Sequence, residues 1–333
     1  MTRKQQQGAP KREASAKRRQ ANRARAKERG HRRVRARRIV KGARYKITKR
    51  CLEGRFFLVP DSDEVTQIIG FCLGLALERF EIELHSAVFM SNHFHLDITD
   101  PHGEMPAFKC MLNSFIARAL NAHRGRYDKF WSADAACDVE LLNDEDLIEA
   151  MAYTQNNPVK ANLVRRGRRW PGLTTAGKKF GDVMRFERPK TFFDENNTAI
   201  PEAVEVRIVR PKVRMELSDE QLQAELDEAV RERETKAARK ARSEHKRVLG
   251  EDRIRRQKWN RTASSYTERY TTTPKVSSRS KWSRIAALQR NAAWDADYAA
   301  AYEARRAGKD VEFPHGTYAM RRFAGVRVAQ APP

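Results

Sequence analysis

Between residues 45 and 160 the spacing of apolar positions switches repeatedly between two and about 3.6, the mark of mixed strands and helices. Residues 45–49 and 55–59 alternate as short strands about Glu53-Gly54. Asp61, with Glu64 three residues on, reads as a capping box. It would open a helix whose apolar face is Ile68, Ile69, Cys72, Leu73, Leu75 and Ala76. Residues 82–90 and 93–99 form a pair of strands about a tight Ser91-Asn92 turn. A second amphipathic helix runs over 106–123, burying Phe108, Met111, Leu112, Phe115, Ile116 and Leu120. A strand at 139–142 precedes a helix capped by Asn143 or Asp144, which runs to about Asn156 and is ended by Pro158. The order strand-helix-strand-strand-helix-strand, plus one helix, predicts an α+β fold with a ferredoxin-like antiparallel sheet.

Beyond residue 185 the pattern becomes more polar. Ser218 and Gln221 make a second capping box, opening a charged helix from Asp219 to about Leu249 that Gly250 stops. Residues 260–281, rich in Ser, Thr and Tyr, read as a loop. Residues 281–306 read as a helix carrying Trp294, Tyr298 and Tyr302 four apart, a stripe expected to pack.

Charge divides the chain of 333 residues into three. Residues 1–44 hold 18 Lys or Arg against Glu13 and Glu28, a tail expected to be disordered in isolation. Residues 45–185 are near neutral, with 18 basic and 19 acidic side chains, and residues 186–333 are basic again, as a mainly helical extension. A neutral body between basic flanks points to a polyanion, and nucleic acid above all. The longest apolar run, residues 68–77, is ten long, about half a membrane span. No secretory signal is expected from the opening residues, and four scattered cysteines (Cys51, Cys72, Cys110, Cys137) with no CxxC pair fit a reducing cytoplasm.

Two constellations carry candidate chemistry. His93 and His95 are two apart on a strand, so both project from one face while Phe94, Leu96 and Ile98 enter the core. Paired imidazoles can share a divalent metal, and they can equally be the polar face of an amphipathic strand. Tyr153 and Asn157 are four apart on one helix face, where a phenol and an amide oxygen could join such a site. They read equally as a packing residue and a helix terminator. Arg165, Arg166, Arg168 and Arg169 follow that helix as a basic cluster suited to phosphate contact.

Taken together, His-Phe-His and Tyr-x-x-x-Asn-Pro-Val-Lys-Ala-x-Leu-Val some sixty residues later resemble the single-tyrosine HUH transposases. The likeness is to their REP-associated branch and covers about residues 45–175, including Phe130-Trp131 and Trp170-Pro171. Ser91 stands where that family commonly has Pro. The resemblance implies that His93 and His95 bind Mg²⁺ or Mn²⁺ with Asn157 as third ligand, and that Tyr153 is the nucleophile. It implies a nickase and strand transferase that acts on single-stranded or hairpin DNA through a 5′-phosphotyrosine. It further implies a cytoplasmic, nucleoid-associated protein that meets no membrane and admits a homodimer. The competing classes are a non-catalytic DNA- or RNA-binding protein that retains the fold, and a basic ribosome-associated RNA binder. The second accounts for the tail but leaves the two motifs unexplained.

Overall fold

The computed structural model describes residues 36–132, 137–263 and 274–331. Residues 1–35, most of the basic tail, lie outside the described residues, as do 133–136 and 264–273. Two compact units divide the chain, one of residues 39–293 and one of residues 294–330 with 36–38.

The larger unit is α+β, built on a mixed five-stranded sheet. Its elements begin with β1 (Ala43–Arg50), α1 (Asp63–Phe80), β2 (Glu83–Met90), β3 (His93–Asp100) and α2 (Met105–His123). Then come β4 (Cys137–Leu141), α3 (Asp144–Lys160), a hairpin of β5 (Val183–Glu187) and β6 (Ala203–Arg207), and α4 (Asp219–Ser243). The short α5 (Glu251–Arg255), β7 (Val276–Ser277) and the start of α6 (Lys281–Arg306) complete it. The sheet order is β2-β3-β1-β4-β7. Its first four strands pair antiparallel, and β7 joins β4 in parallel inside what the sequence suggests is a loop.

Both faces of this sheet are covered, so its alternation separates two buried layers rather than core from water. Ile47, Leu96 and Ile98 are fully buried on one face, each worth about 2 kcal/mol of transfer from water. There α2 docks through Lys109, which pairs with Asp138, the cross-strand neighbour of Ile47. The other face carries α3. Lys46, on that face, donates to the Ala150 carbonyl and the Thr154 hydroxyl of α3 at 3.1 and 2.8 Å. The far side of α3 packs Leu147 and Met151 against Leu222 and Leu226 of α4.

Several local expectations are corrected. Asp61 does not cap α1; Ser62 is the N-cap, and the Asp61 carboxylate instead takes two bonds from the buried Arg124 guanidinium at 2.9 and 3.2 Å. Residues 55–59 form no strand, because their backbone bonds go to loops, Phe56 to Arg261 and Leu58 to Ser91. Pro158 does not end α3, which continues to Lys160. Proline forfeits one N–H there, while the carbonyls of Asn157 and Pro158 still accept from Ala161 and Leu163. The charged helix stops at Ser243 rather than Leu249. His245 adopts a left-handed conformation (φ 52°), and the Leu249 and Gly250 N–H groups turn away to the carbonyls of Asn162 and Leu163. The β5–β6 hairpin, which the sequence reading misses, lies on α1. A Cβ at Gly70 would come 2.3 Å from the Phe186 ring and one at Gly74 2.4 Å from Val204, so this helix face must be bare for the hairpin to seat.

In the smaller unit, Trp294, Tyr298 and Tyr302 of α6 stack at 5.2 and 6.4 Å, and Phe313 meets Tyr298 edge-on at 5.5 Å. The Trp294 indole donates to the His315 carbonyl, and Arg38 bridges to Thr317. The short α7 (Ala319–Ala324) closes this unit. The aromatic stripe is packing here.

Candidate active site on the sheet face

Register assembles the site. β1 and β3 pair so that Thr48 lies opposite His95, Arg50 opposite His93, and Lys46 opposite Asp97. Directly opposed residues share a face, so all six lie on the side covered by α3. The two imidazoles that alternation predicts to be neighbours meet edge to face, with ring centroids 4.9 Å apart. Tyr153 reaches down from α3 and meets the His95 ring at 5.7 Å, also edge to face. His93, His95 and Tyr153 are therefore one contiguous cluster, joining a strand pair to a helix sixty residues away.

The histidines are oriented by groups invisible in the motif. His93 Nδ1 lies 2.7 Å from Asn92 Oδ1. The Asn92 amide nitrogen donates to the Gly54 carbonyl at 3.2 Å, which fixes the amide orientation. Since Oδ1 can only accept, His93 Nδ1 donates to it, and in the neutral ring the lone pair lies on Nε2. Thr48 Oγ1 lies 2.7 Å from His95 Nδ1 and holds that ring through a hydrogen bond that either atom can donate. Burial pushes His95 well below the ordinary imidazole range, and His93, Lys46, Arg50 and Lys160 add repulsion toward its protonated form. It is a neutral base at physiological pH.

Two lysines flank the phenol. Lys46 Nζ lies 4.4 Å and Lys160 Nζ 4.6 Å from the Tyr153 ring centroid. Beneath Tyr153, Lys46 forms a 3.6 Å ion pair with Asp97, whose side chain is fully buried. Desolvation lowers the Lys46 ammonium and raises the Asp97 carboxyl, each opposed by attraction to the other. Asp97 is thus the partner of Lys46, a role the sequence does not reveal. Asn157 sits one helical turn beyond Tyr153 and is buried.

The remaining predicted residues lie elsewhere. Arg165, Arg166, Arg168 and Arg169 are exposed and line a cavity of about 1240 Å³, whose walls include neither histidine nor Tyr153. Lys46, Thr48, Asn92 and Lys160 are the site neighbours that sequence reading misses. Lys46 and Thr48 do alternate with Tyr45 and Ile47, but only the β1–β3 register shows what they face. His85, on β2, is a structural histidine. Its Nδ1 donates to the Val209 carbonyl at 2.7 Å, its Nε2 accepts from Thr99 at 2.8 Å, and burial pushes it down to about 4.

Among the described residues no three His, Cys, Asp or Glu side chains form a group able to hold a metal ion, and no helix is long and apolar enough to cross a membrane. No family profile matches the chain, and neither does any curated protein. Among the solved structures similar to it are two transposases. A REP-associated tyrosine transposase bound to a REP hairpin aligns at 18% identity and a TM-score of 0.36, covering 42% of this chain and 79% of that one. A candidate transposase from Deinococcus radiodurans R1 aligns at 18% identity and a TM-score of 0.25, covering 31% of this chain and 82% of that one. Both are distant likenesses; what the site can do is set by its own side chains.

Proposed function

We propose that this chain is a DNA nickase and strand transferase of the single-tyrosine HUH kind, with Tyr153 as nucleophile. The observation that carries the reading is the convergence of His93, His95 and Tyr153 at ring distances of 4.9 and 5.7 Å, with each imidazole held through Nδ1. A surface polar pair would have no need of that anchoring, nor of a tyrosine brought to it from another element. We read the four antiparallel strands with their crossing helices as the ferredoxin-like core that the HUH class requires.

The donor chemistry fits a divalent ion. In its neutral form His93 offers Nε2, burial keeps His95 from protonating, and the Asn157 amide is the remaining donor we assign. Two imidazoles suit Mn²⁺ better than Mg²⁺, which prefers oxygen ligands. When bound, the ion supplies Lewis-acid stabilisation of the phosphate oxygens.

Tyr153 does the bond-making. Its oxygen attacks phosphorus in line, forming a 5′-phosphotyrosine as the bond to the 3′ oxygen breaks. The phenolic proton ends on the released 3′-hydroxyl. Lys46 and Lys160 favour the negative charge that builds on the phenol during attack. Because the adduct conserves a phosphodiester bond, the 3′-hydroxyl of a second strand can reverse the step and join new DNA. Single-stranded or hairpin DNA is the substrate we assign, since a half-buried tyrosine cannot easily reach the phosphates of a rigid duplex.

Incubating the full chain with a pool of labelled single-stranded hairpins and Mn²⁺ should give a covalent protein–DNA band that survives denaturation. No adduct from any hairpin, with binding intact, would move the protein to the non-catalytic class.

A further inference from the structure

The cavity lined by the four arginines has a second wall, and that wall comes from the C-terminal half of the chain. Arg231 and Arg242 of α4, with Lys246 and Arg247 just beyond it, face the cavity from the other side, and all four are exposed. Eight cations line it against two carboxylates, Glu234 and Glu251, while Arg231 pairs with Glu228 and Lys246 with Glu244 (2.6 Å) beside it. Glu234 is already engaged, accepting from the Gly167 N–H at 2.7 Å and pairing with Arg166 at 3.7 Å.

The two walls are fixed to one another. Gly167 packs so closely on α3 that a Cβ there would sit 2.2 Å from the Gln155 carbonyl. Leu249 and Gly250 donate to the carbonyls of Asn162 and Leu163 at 2.9 Å. Beneath them Val159, Val164 and Ile254 form a shared core, with Ala237 and Leu249 packed against it. Counting Glu228 and Glu244 with the two lining carboxylates, positive charge still exceeds negative by four around one concavity, which favours a negative occupant. At about 1240 Å³ it exceeds the roughly 300–1,000 Å³ of ordinary small-molecule pockets.

We propose that this cleft is a phosphodiester-binding channel, half of it built by α4 and the residues after it, and that its occupant is the backbone of a DNA strand. The occupant's identity as DNA rests on the nuclease reading; the channel itself rests on charge and shape. It gives residues 219–251 a task that the His–Tyr motifs do not explain. Its contacts are to phosphates, so it holds and orients the strand without choosing the sequence.

The test is binding, read without cleavage in full-length protein carrying Tyr153→Phe. Log K for a labelled hairpin with a single-stranded tail is measured against log salt between roughly 50 and 300 mM, where each single-strand phosphate contact contributes a slope of about 0.7. The variant Arg231→Ala/Arg242→Ala/Lys246→Ala/Arg247→Ala should lose roughly 1.5 to 3 units of slope. A control removing four exposed cations elsewhere (Arg185→Ala/Lys190→Ala/Arg207→Ala/Lys212→Ala) should lose less than one. Thermal melts confirm folding, and the milder Arg242→Gln/Arg247→Gln variant replaces the quadruple one if that melts early. Equal losses in cleft variant and control would make this a bulk-charge effect and overturn the channel, as would an unchanged slope in the cleft variant. An RNA strand of the same sequence that binds tighter and shows the larger slope loss would overturn the choice of DNA. Absence of a covalent adduct in the unmutated chain, with the slope loss intact, would defeat the nuclease reading and leave the channel standing.

Discussion

The sheet-face cluster, under the C-terminal half of α3, and the arginine cleft, which begins where that helix ends, are built on opposite principles. Around Tyr153 the groups are few and, apart from the exposed Lys160, buried or half-buried and individually held: His95 by Thr48, His93 by Asn92, Lys46 by Thr154 and Ala150. In the cleft the groups are many, exposed and interchangeable, a density of positive charge rather than a geometry. Chemistry at one phosphorus atom needs the first arrangement, because a reacting atom must lie within a fraction of an ångström of its place. Holding a flexible polyanion needs only the second, because counterion release depends on how many phosphates are neutralised. Single substitutions should therefore be decisive in the cluster and graded in the cleft.

The largest effect should come from one oxygen atom. Tyr153→Phe keeps the ring against His95 and between the two lysines, so the melting temperature should change little and hairpin affinity should be retained. Adduct formation should vanish, a loss of at least about a thousandfold if the phenol is the nucleophile. Persistence of the adduct would assign the reaction to another tyrosine.

Next in size is the imidazole pair. In His93→Ala/His95→Ala, cleavage should disappear and Mn²⁺ affinity should fall at least about tenfold, read by calorimetry or by Mn²⁺ electron resonance. Mutation of the anchors should give a smaller version of the same result. Thr48→Val keeps the volume but removes the hydroxyl from His95 Nδ1, so Mn²⁺ affinity should fall while both ligands remain. Unchanged Mn²⁺ binding in the double histidine variant would reduce the pair to a sheet's polar face.

How much of this was legible in the chain follows the same division. His93 and His95 sharing a face is a consequence of strand periodicity, and Tyr153 on a helix turn with Asn157 a consequence of helical periodicity; both are local, so sequence carries them. Asn143 as the cap of α3 and Ser218 with Gln221 as the box opening α4 are local too. Lys46 and Thr48 are different. Their place in the site depends on β1 pairing with β3 in one register, a long-range choice that no short window encodes. Asp61 was misread because its carboxylate found Arg124, 63 residues away, stronger than a backbone cap. Pro158 was misread because a proline near a helix end loses only one bond. The hairpin at 183–187 and 203–207 had a period-two signal in Val204 and Val206, but its docking partner, the bare Gly70–Gly74 face of α1, looks in sequence like ordinary helix.

A third effect concerns His85, a buried histidine of the same sheet that lies outside the cluster. His85 is neutral and fully bonded, and burial holds it down to about 4 against 6.5 in the unfolded chain. A depressed histidine means the unfolded state takes up the proton first. Its contribution is fully present above about pH 6.5 and is lost as pH falls toward 4, reaching about 3 kcal/mol. Urea unfolding from pH 7 down to pH 4.5 should show that loss, and His85→Gln should flatten it while lowering stability at pH 7. An equally steep acid loss in the variant would place the sensitivity in other groups.

The smallest effect belongs to a single arginine of the cleft. Arg169→Ala removes one exposed cation among eight. If the cleft works by charge density, the salt slope should fall by about 0.7, affinity should weaken by the same factor for matched and scrambled hairpins, and adduct yield at saturating DNA should hold. Arg165→Ala and Arg168→Ala should each give a similar increment, and the triple variant should give about their sum, since solvent-screened charges with no shared partner act nearly independently. A collapse of binding on losing Arg169 alone would break the comparison. It would mean that the cleft, like the sheet face, contains a fixed bidentate contact, and that one arginine there reads a particular phosphate or base rather than adding to a field.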